Sequence, residues 1–386
     1  MPNLKKSLGL FDSGRTRNRK RPTLFVESLE GRALLSHVHV LKAHPKPSYI
    51  ETNLVSNDTS VVPATNMDSH LKNAWGIAAS PAGPFWIADN GTGSSTLYNG
   101  TGTPQSLVVK IPSPAGNTST SAPTGIVFNS STDFAVSTPG KTAAAPSLFL
   151  FSTEDGTISG WSPKVNSTNA ILAVDHSASG AVYKGLALAS SSSGNRLYAT
   201  NFRAGTVEVF DSNFNPASLA ANAFQDSKIP KGYAPFGIAN VGGNLMVTFA
   251  KQNSAKHDDT SGKGHGFVDL FSPDGSLISR VARRGTLNSP WGIAVAPSTF
   301  GKFANDLLIG DFGDGRINAF KIGAKKTTFA GQLNRSNGKP ITIPGLWGLE
   351  FGNGGNAGSK DTLFFTAGPN GEQDGLFGSL TVNPSS

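Results

Sequence analysis

The chain has 386 residues with 45 glycines, 24 prolines and no cysteine, and 33 Lys+Arg stand against 25 Asp+Glu for a formal net charge of +8. The missing cysteine excludes a disulfide framework, thiolate metal sites and a cysteine nucleophile, and it leaves the redox compartment open. The length suits two or three ordinary domains, or one large β barrel or propeller.

The charge is concentrated at the front. Residues 1–36 hold eight basic groups and three acids, so residues 37–386 hold 25 bases and 22 acids. A folded surface for nucleic acid needs clustered Lys and Arg on the body of the fold, and none is present there, so nucleic acid is not an expected partner. The run Arg15–Arg21 (RTRNRKR) precedes Pro22 and LFVESLEGRALLS. Glu27, Glu30 and Arg32 interrupt the apolar stretch that a secretory signal needs. Leu29-Glu30-Gly31-Arg32 with Leu34-Leu35-Ser36 resembles a short leader of large exported bacterial proteins. Residues 1–36 are therefore expected to be a basic export leader or an unstructured basic tail, and the protein to be exported, extracellular or at the cell surface or periplasm. No apolar run approaches the ~18 residues of a membrane span. His37, His39 and His44 fall in a linker, 37–48, and read as solvated because no acidic or cysteine partner accompanies them.

From residue 49 the sequence repeats. A large residue, Gly and a short apolar run recur at Trp75-Gly76-Ile77-Ala78, Thr124-Gly125-Ile126-Val127, Lys184-Gly185-Leu186-Ala187, Phe236-Gly237-Ile238-Ala239, Trp291-Gly292-Ile293-Ala294 and Trp347-Gly348-Leu349-Glu350. Periods near 50 built of short strands indicate radial repetition in propeller blades. Each unit continues with a second strand, such as Phe85–Asn90, Arg196–Asn201, Asn244–Phe249, Asp306–Asp311 or Thr362–Ala367. Third strands follow Gly-containing turns, as at Asp155-Gly156 and Asp314-Gly315, where positive φ is tolerated. No segment sustains helical periodicity. The expected fold is all-β, a six-bladed β-propeller over 49–382 with a short tail, 383–386. The sixth unit ends on its third strand at Val382, and Tyr49–Val55 is a strand without a blade, so the N-terminal strand is expected to complete the last blade and remove an open edge. The repeat glycine admits close approach of neighbouring backbones, and Trp75, Phe236, Trp291 and Trp347 are expected to pack as interblade core.

Leu307–Phe320 (LLIGDFGDGRINAF), Asn288–Ala294 (NSPWGIA), Gly345–Gly355 (GLWGLEFGNGG) and Phe365–Asn370 followed by Gly375–Gly378 carry a family resemblance. The chain resembles an uncharacterised bacterial family of exported hypothetical proteins, NHL-like six-bladed propellers, some of which end in a PEP-CTERM sorting tail. The resemblance implies a fold and carries over no catalytic residue. The chain ends at Asn383-Pro384-Ser385-Ser386 without such a tail.

Equivalent ends of the second strands place Asp89, Asn201 and Asp311 as candidates for a polar ring at the channel mouth. Propeller lactonases hold one calcium-like cation there through Asp, Asn and Glu oxygens. Turn capping is the competing role for the same residues, and the early acidic residue that such lactonases use is not evident. The long polar insertion 251–265 holds His257, Asp258, Asp259 and His265, a candidate ligand-binding loop or a solvated one. No Gly-x-Ser-x-Gly elbow with matched His and Asp accompanies the many serines. The expected function is a monomeric, non-enzymatic binding or interaction module for a protein, glycan or small molecule. The alternative is a cation-dependent, lactonase-like hydrolase or lyase with calcium at the channel mouth.

Overall fold

The computed structural model describes residues 47–323 and 326–384; the basic segment 1–36 and the linker through residue 46, with His37, His39 and His44, lie outside them. Six sheets form the blades of a β-propeller, each running outward from an inner strand. The inner strands are Ala74–Ala79, Pro123–Phe128, Tyr183–Ser191, Tyr233–Val241, Pro290–Val295 and Leu346–Phe351. Each packs against the next, and the last packs against the first, so the ring is closed.

The expected closure is present. Tyr49–Ser56 pairs antiparallel with Leu376–Val382, from Tyr49 opposite Val382 to Ser56 opposite Leu376, and forms the outer strand of blade six. Two departures follow from insertions. A hairpin of Ala135–Ser137 and Ala144–Pro146 stands between the first and second strands of blade two. Blade three has three strands, Tyr183–Ser191, Gly194–Asn201 and Thr206–Phe210, and an irregular segment follows them. The cores lie between blades, as where Trp86 of blade one stacks on Phe149 of blade two at 4.2 Å. Among the described residues no helix is long and apolar enough to cross a membrane.

The repeat glycine sits where the ring is tightest. A Cβ on Gly348 would lie 2.8 Å from the Trp75 carbonyl oxygen, and one on Gly185 2.9 Å from that of Phe236. At Gly76, Gly237 and Gly292 the next blade's carbonyl is closer still. Pairing to the second strand is interrupted here in all six blades. Side-chain hydroxyls of the second strand fill the gap. Gly348 N donates to Thr366 Oγ1 at 2.8 Å and Gly237 N to Thr248 Oγ1 at 2.8 Å. Thr366 in turn donates to Trp75 O of blade one, and Thr200 to Phe236 O at 2.7 Å. One hydroxyl thus satisfies its own blade and ties it to the next.

Gly237→Ala is expected to lower unfolding stability by about 1–3 kcal/mol through overpacking against Trp291 O. Thr366→Val should cost a similar amount by leaving a buried donor and acceptor unpaired. Urea midpoints of the purified variants measure both.

Candidate functional site

The large residues ahead of the repeat glycines come from blades one, four, five and six and meet across the channel. Trp75, Phe236 and Trp347 are buried and Trp291 is half-buried. Trp75 stacks on Trp347 at 3.5 Å between ring centroids, Trp291 stands edge-on to both, and Phe312 stacks on Trp347 at 4.0 Å. These rings are core, as expected, yet they pack against one another as a layer over the channel as well as between adjacent blades.

In blade three the same repeat position is Lys184, only 2% exposed. A buried ammonium requires compensation, and it is supplied from three sides. Lys184 Nζ pairs with Glu154 of blade two and lies 3.3 Å from Asp258 Oδ1 of the blade-four insertion. It also lies over the Trp75 ring at 5.1 Å and the Phe202 ring at 6.0 Å, where the π face favours a cation. Trp291 Nε1 donates to Lys184 O at 2.9 Å, fixing the backbone that carries the charge. The network extends outward: Asn90 Nδ2 donates to Glu154 Oε2 at 2.9 Å, and Asn73 Nδ2 to Asn90 Oδ1 at 3.1 Å.

The acids exceed the bases at this mouth. The hydrogen bond from His257 Nδ1, 2.8 Å from Asp258 Oδ1, holds the Asp258 carboxyl down at about 2, aided by Lys184. The same bond raises the His257 imidazole. Glu372 is pushed up to about 7 by burial, with repulsion from Glu154 adding to it. Burial also raises Asp155 and Asp259. Among the described residues, Glu154, His257 and Asp258 form the one group of three His, Asp or Glu side chains whose ligand atoms all lie within 4.8 Å of one another.

The structure places the predicted candidates differently from one another. Of the insertion residues, His257 and Asp258 join the Lys184 cluster. His265 Nδ1 instead bonds Thr260 O at 2.7 Å, and Asp259 accepts from the Ser261 hydroxyl at 3.2 Å. Asp89, Asn201 and Asp311 stand in alternate blades, and Asn201 and Asp311 bond within theirs. Asp89 is buried beside Thr96 and Ser94, and burial pushes its carboxyl well above the usual range. Asn201 donates to Glu208 Oε1 at 2.6 Å and accepts from Ala204 N at 3.1 Å, which caps a turn. Asp311 accepts from Asn318 Nδ2 at 2.6 Å, and burial with repulsion from Asp314 raises it. Sequence reasoning missed Lys184, Glu154 and Glu372. Lys184 carries a legible signal, a cation where four of the other five units have an aromatic ring.

From the glycines onward the inner strands diverge around a cavity of about 860 Å³ lined by all six blades. Its wall is aliphatic, with Ile77, Ile126, Leu186, Ile238, Ile293 and Leu349 among the lining residues. Among the described residues Glu350 is the one titratable lining residue, and enclosure by the channel wall pushes its carboxyl up to about 7.

No known family profile matches the chain. It is 34% identical over 334 residues to the uncharacterized protein R648 of Acanthamoeba polyphaga mimivirus, a match covering 85% of this chain and 78% of that one. It is 32% identical over 334 residues to the uncharacterized protein L690 of the same virus, covering 85% and 84%. These relatives are viral and lend no support to the bacterial, exported setting that the sequence resemblance implied. Among solved structures, a glucose dehydrogenase is similar with a TM-score of 0.52 at 13% identity, covering 86% of this chain and 99% of that one. That likeness is one of propeller fold alone.

Lys184→Met leaves Glu154 beside an uncompensated hollow, and about 3 kcal/mol of stability should be lost at pH 7. The loss should shrink at pH 4, because carboxylates raised in the folded variant bind protons that the unfolded chain does not; urea unfolding at the two pH values reads this. In the wild type, His257 contributes stability below its unfolded value of 6.5, lost as pH rises through its higher folded value. Asp258 contributes above 3.8, and that stability is lost as pH falls towards about 2. An NMR titration should place the His257 imidazole above 6.5, and Asp258→Asn should bring it down.

Proposed function

The chain belongs to the family of the uncharacterized mimivirus proteins R648 and L690, and we propose that it is a non-enzymatic binding module whose ligand enters the central channel. The observation that carries this reading is the channel cavity of about 860 Å³, walled by one inner strand from each blade. Cavities of roughly 300–1,000 Å³ with apolar walls and few polar groups are the usual form of small-molecule sites. Among the described residues one titratable side chain lines the cavity, whereas acid–base or nucleophilic chemistry draws on a nucleophile, a base and an orienting group together. The aromatic layer at the repeat glycines backs the cavity with rigid apolar surface.

A second reading is a cation-dependent hydrolase or lyase at the opposite mouth, and the Glu154–His257–Asp258 group favours it. The Lys184 ammonium stands against both carboxylates of that group, where a bound cation would have to compete with it. Calcium held by Asp89, Asn201 and Asp311 would have to bridge alternate blades and would require Asn201 and Asp311 to turn out of bonds within their own blades.

Calorimetry separates the two. Under the binding reading, 1-octanol titrates saturably into the wild-type protein, and Ala294→Phe, which fills the cavity, weakens it at least about tenfold. Calcium and zinc give no saturable heat. Binding of octanol that ignores Ala294→Phe, or metal heat abolished by Asp258→Asn, sinks the binding reading in favour of the second.

A further inference from the structure

The repeat makes the chemistry of the cavity unusual at one point. Two residues beyond the repeat glycine, the six inner strands carry Ala78, Val127, Ala187, Ala239, Ala294 and Glu350. All six line the cavity. Five blades therefore present a small apolar side chain at this level, and blade six alone presents a carboxyl group. Strand pairing offers no reason for an acid there, since Glu350 lies opposite Phe364.

Among the described residues no partner compensates this carboxyl. No described Lys, Arg or His lines the cavity, and none of the other five inner strands contributes a titratable side chain to it. The one other polar lining side chain, Asn240, is already engaged: its Nδ2 donates to Leu188 O at 2.8 Å and its Oδ1 accepts from Gly243 N at 2.9 Å. The contrast with Lys184 is instructive. That buried charge meets two carboxylates and two aromatic faces, whereas Glu350 meets aliphatic wall.

We propose that the channel cavity takes an apolar molecule bearing one protonated amine, with the ammonium paired to the Glu350 carboxylate and the body lodged among the aliphatic inner strands. The proposal rests on the reading of the channel as a ligand site and adds the class of ligand. An isolated carboxyl in low-dielectric surroundings is neutral at the cost of its ionisation, and an incoming cation restores the charged form. Glu350 is half-buried in the cavity wall, and loss of solvent alone pushes its carboxyl up to about 7. Pairing with an ammonium therefore expels its proton, and affinity for an amine must rise with pH up to that value and then level off. An alkylammonium stays charged to about pH 10, so the window between is set by Glu350.

The test titrates octylamine, 1-octanol and octanoate into the full chain by calorimetry. At pH 8 octylamine should bind at least about tenfold more tightly than octanol, about 1.4 kcal/mol, with octanoate weakest. Between pH 8 and pH 6 the octylamine affinity should fall about tenfold as Glu350 takes up its proton, while that of octanol stays constant. Glu350→Gln, nearly isosteric, should erase both the amine preference and its pH dependence and leave octanol binding within about twofold. Equal affinities for octylamine and octanol at pH 8, or a preference that survives Glu350→Gln, overturns the assignment of the cation while the cavity reading stands. Absence of octanol binding removes the cavity reading as well. Should the variant fold poorly, the pH dependence in the wild-type protein decides alone: a flat octylamine affinity from pH 6 to pH 8 overturns the proposal.

Discussion

The contact between each repeat glycine and the backbone of the next blade is the constraint from which the rest of the architecture follows. Gly348 faces Trp75 O, Gly185 faces Phe236 O, and Gly237 and Gly292 meet the carbonyls of Trp291 and Trp347. No side chain fits at these points, so the inner strands close to a fixed circumference. The close approach breaks the regular ladder to the second strand, and a hydroxyl at Thr366, Thr248 or Ser152 accepts the amide that the ladder leaves free. The large residue just before each glycine is then directed toward the axis. Four of the six are aromatic, and their rings pack against one another at this level.

A layer of packed rings divides the channel electrostatically. On one side an ammonium stands between two carboxylates, with a histidine on one of them and an asparagine on the other. On the other side a single carboxyl stands in aliphatic surroundings. Both charged residues occupy positions that the repeat elsewhere gives to uncharged side chains, Lys184 ahead of the glycine, where four of the other five units have an aromatic ring, and Glu350 two residues beyond it. A packing argument alone would fill these positions with Trp, Phe, Ala or Val. Burying charge instead is costly, and the cost is borne at the two places where the symmetry of the ring is broken.

The blades and their closure were legible because their signals are local. A glycine at a period near 50, Asp-Gly turns and short apolar runs each act within a few residues, and the orphan strand at Tyr49 had one open edge to join. The Lys184 cluster joins residues from blades two, three and four, with Glu154 and Asp258 lying 30 and 74 positions from Lys184. No spacing rule connects such residues before the ring closes. Equivalence between blades says less at strand ends. Asp89, Asn201 and Asp311 share a place in the repeat, but a strand end in a propeller is also a turn, where Asn201 accepts from Ala204 N and Asp311 from Asn318, while Asp89 is buried. The informative use of the repeat was the opposite one: the position where a unit departs from its siblings marks the site.

Blade six ties these features to the closure of the ring. It supplies Trp347 to the aromatic layer, Glu350 to the cavity and, just beyond its second strand, Glu372 to the acidic mouth. Its outer strand comes from the other end of the described chain, with Tyr49 opposite Val382 and the Tyr49 hydroxyl donating to Phe300 O of blade five at 3.1 Å. Glu51 of that strand pairs with Arg335. Contacts of such sequence separation form late because their loop entropy is paid before they reward it. Gly348 reaches Trp75 O only once blade six has docked on blade one. The aromatic layer therefore completes with the ring, and the acids that it separates acquire their enclosed surroundings in the same step.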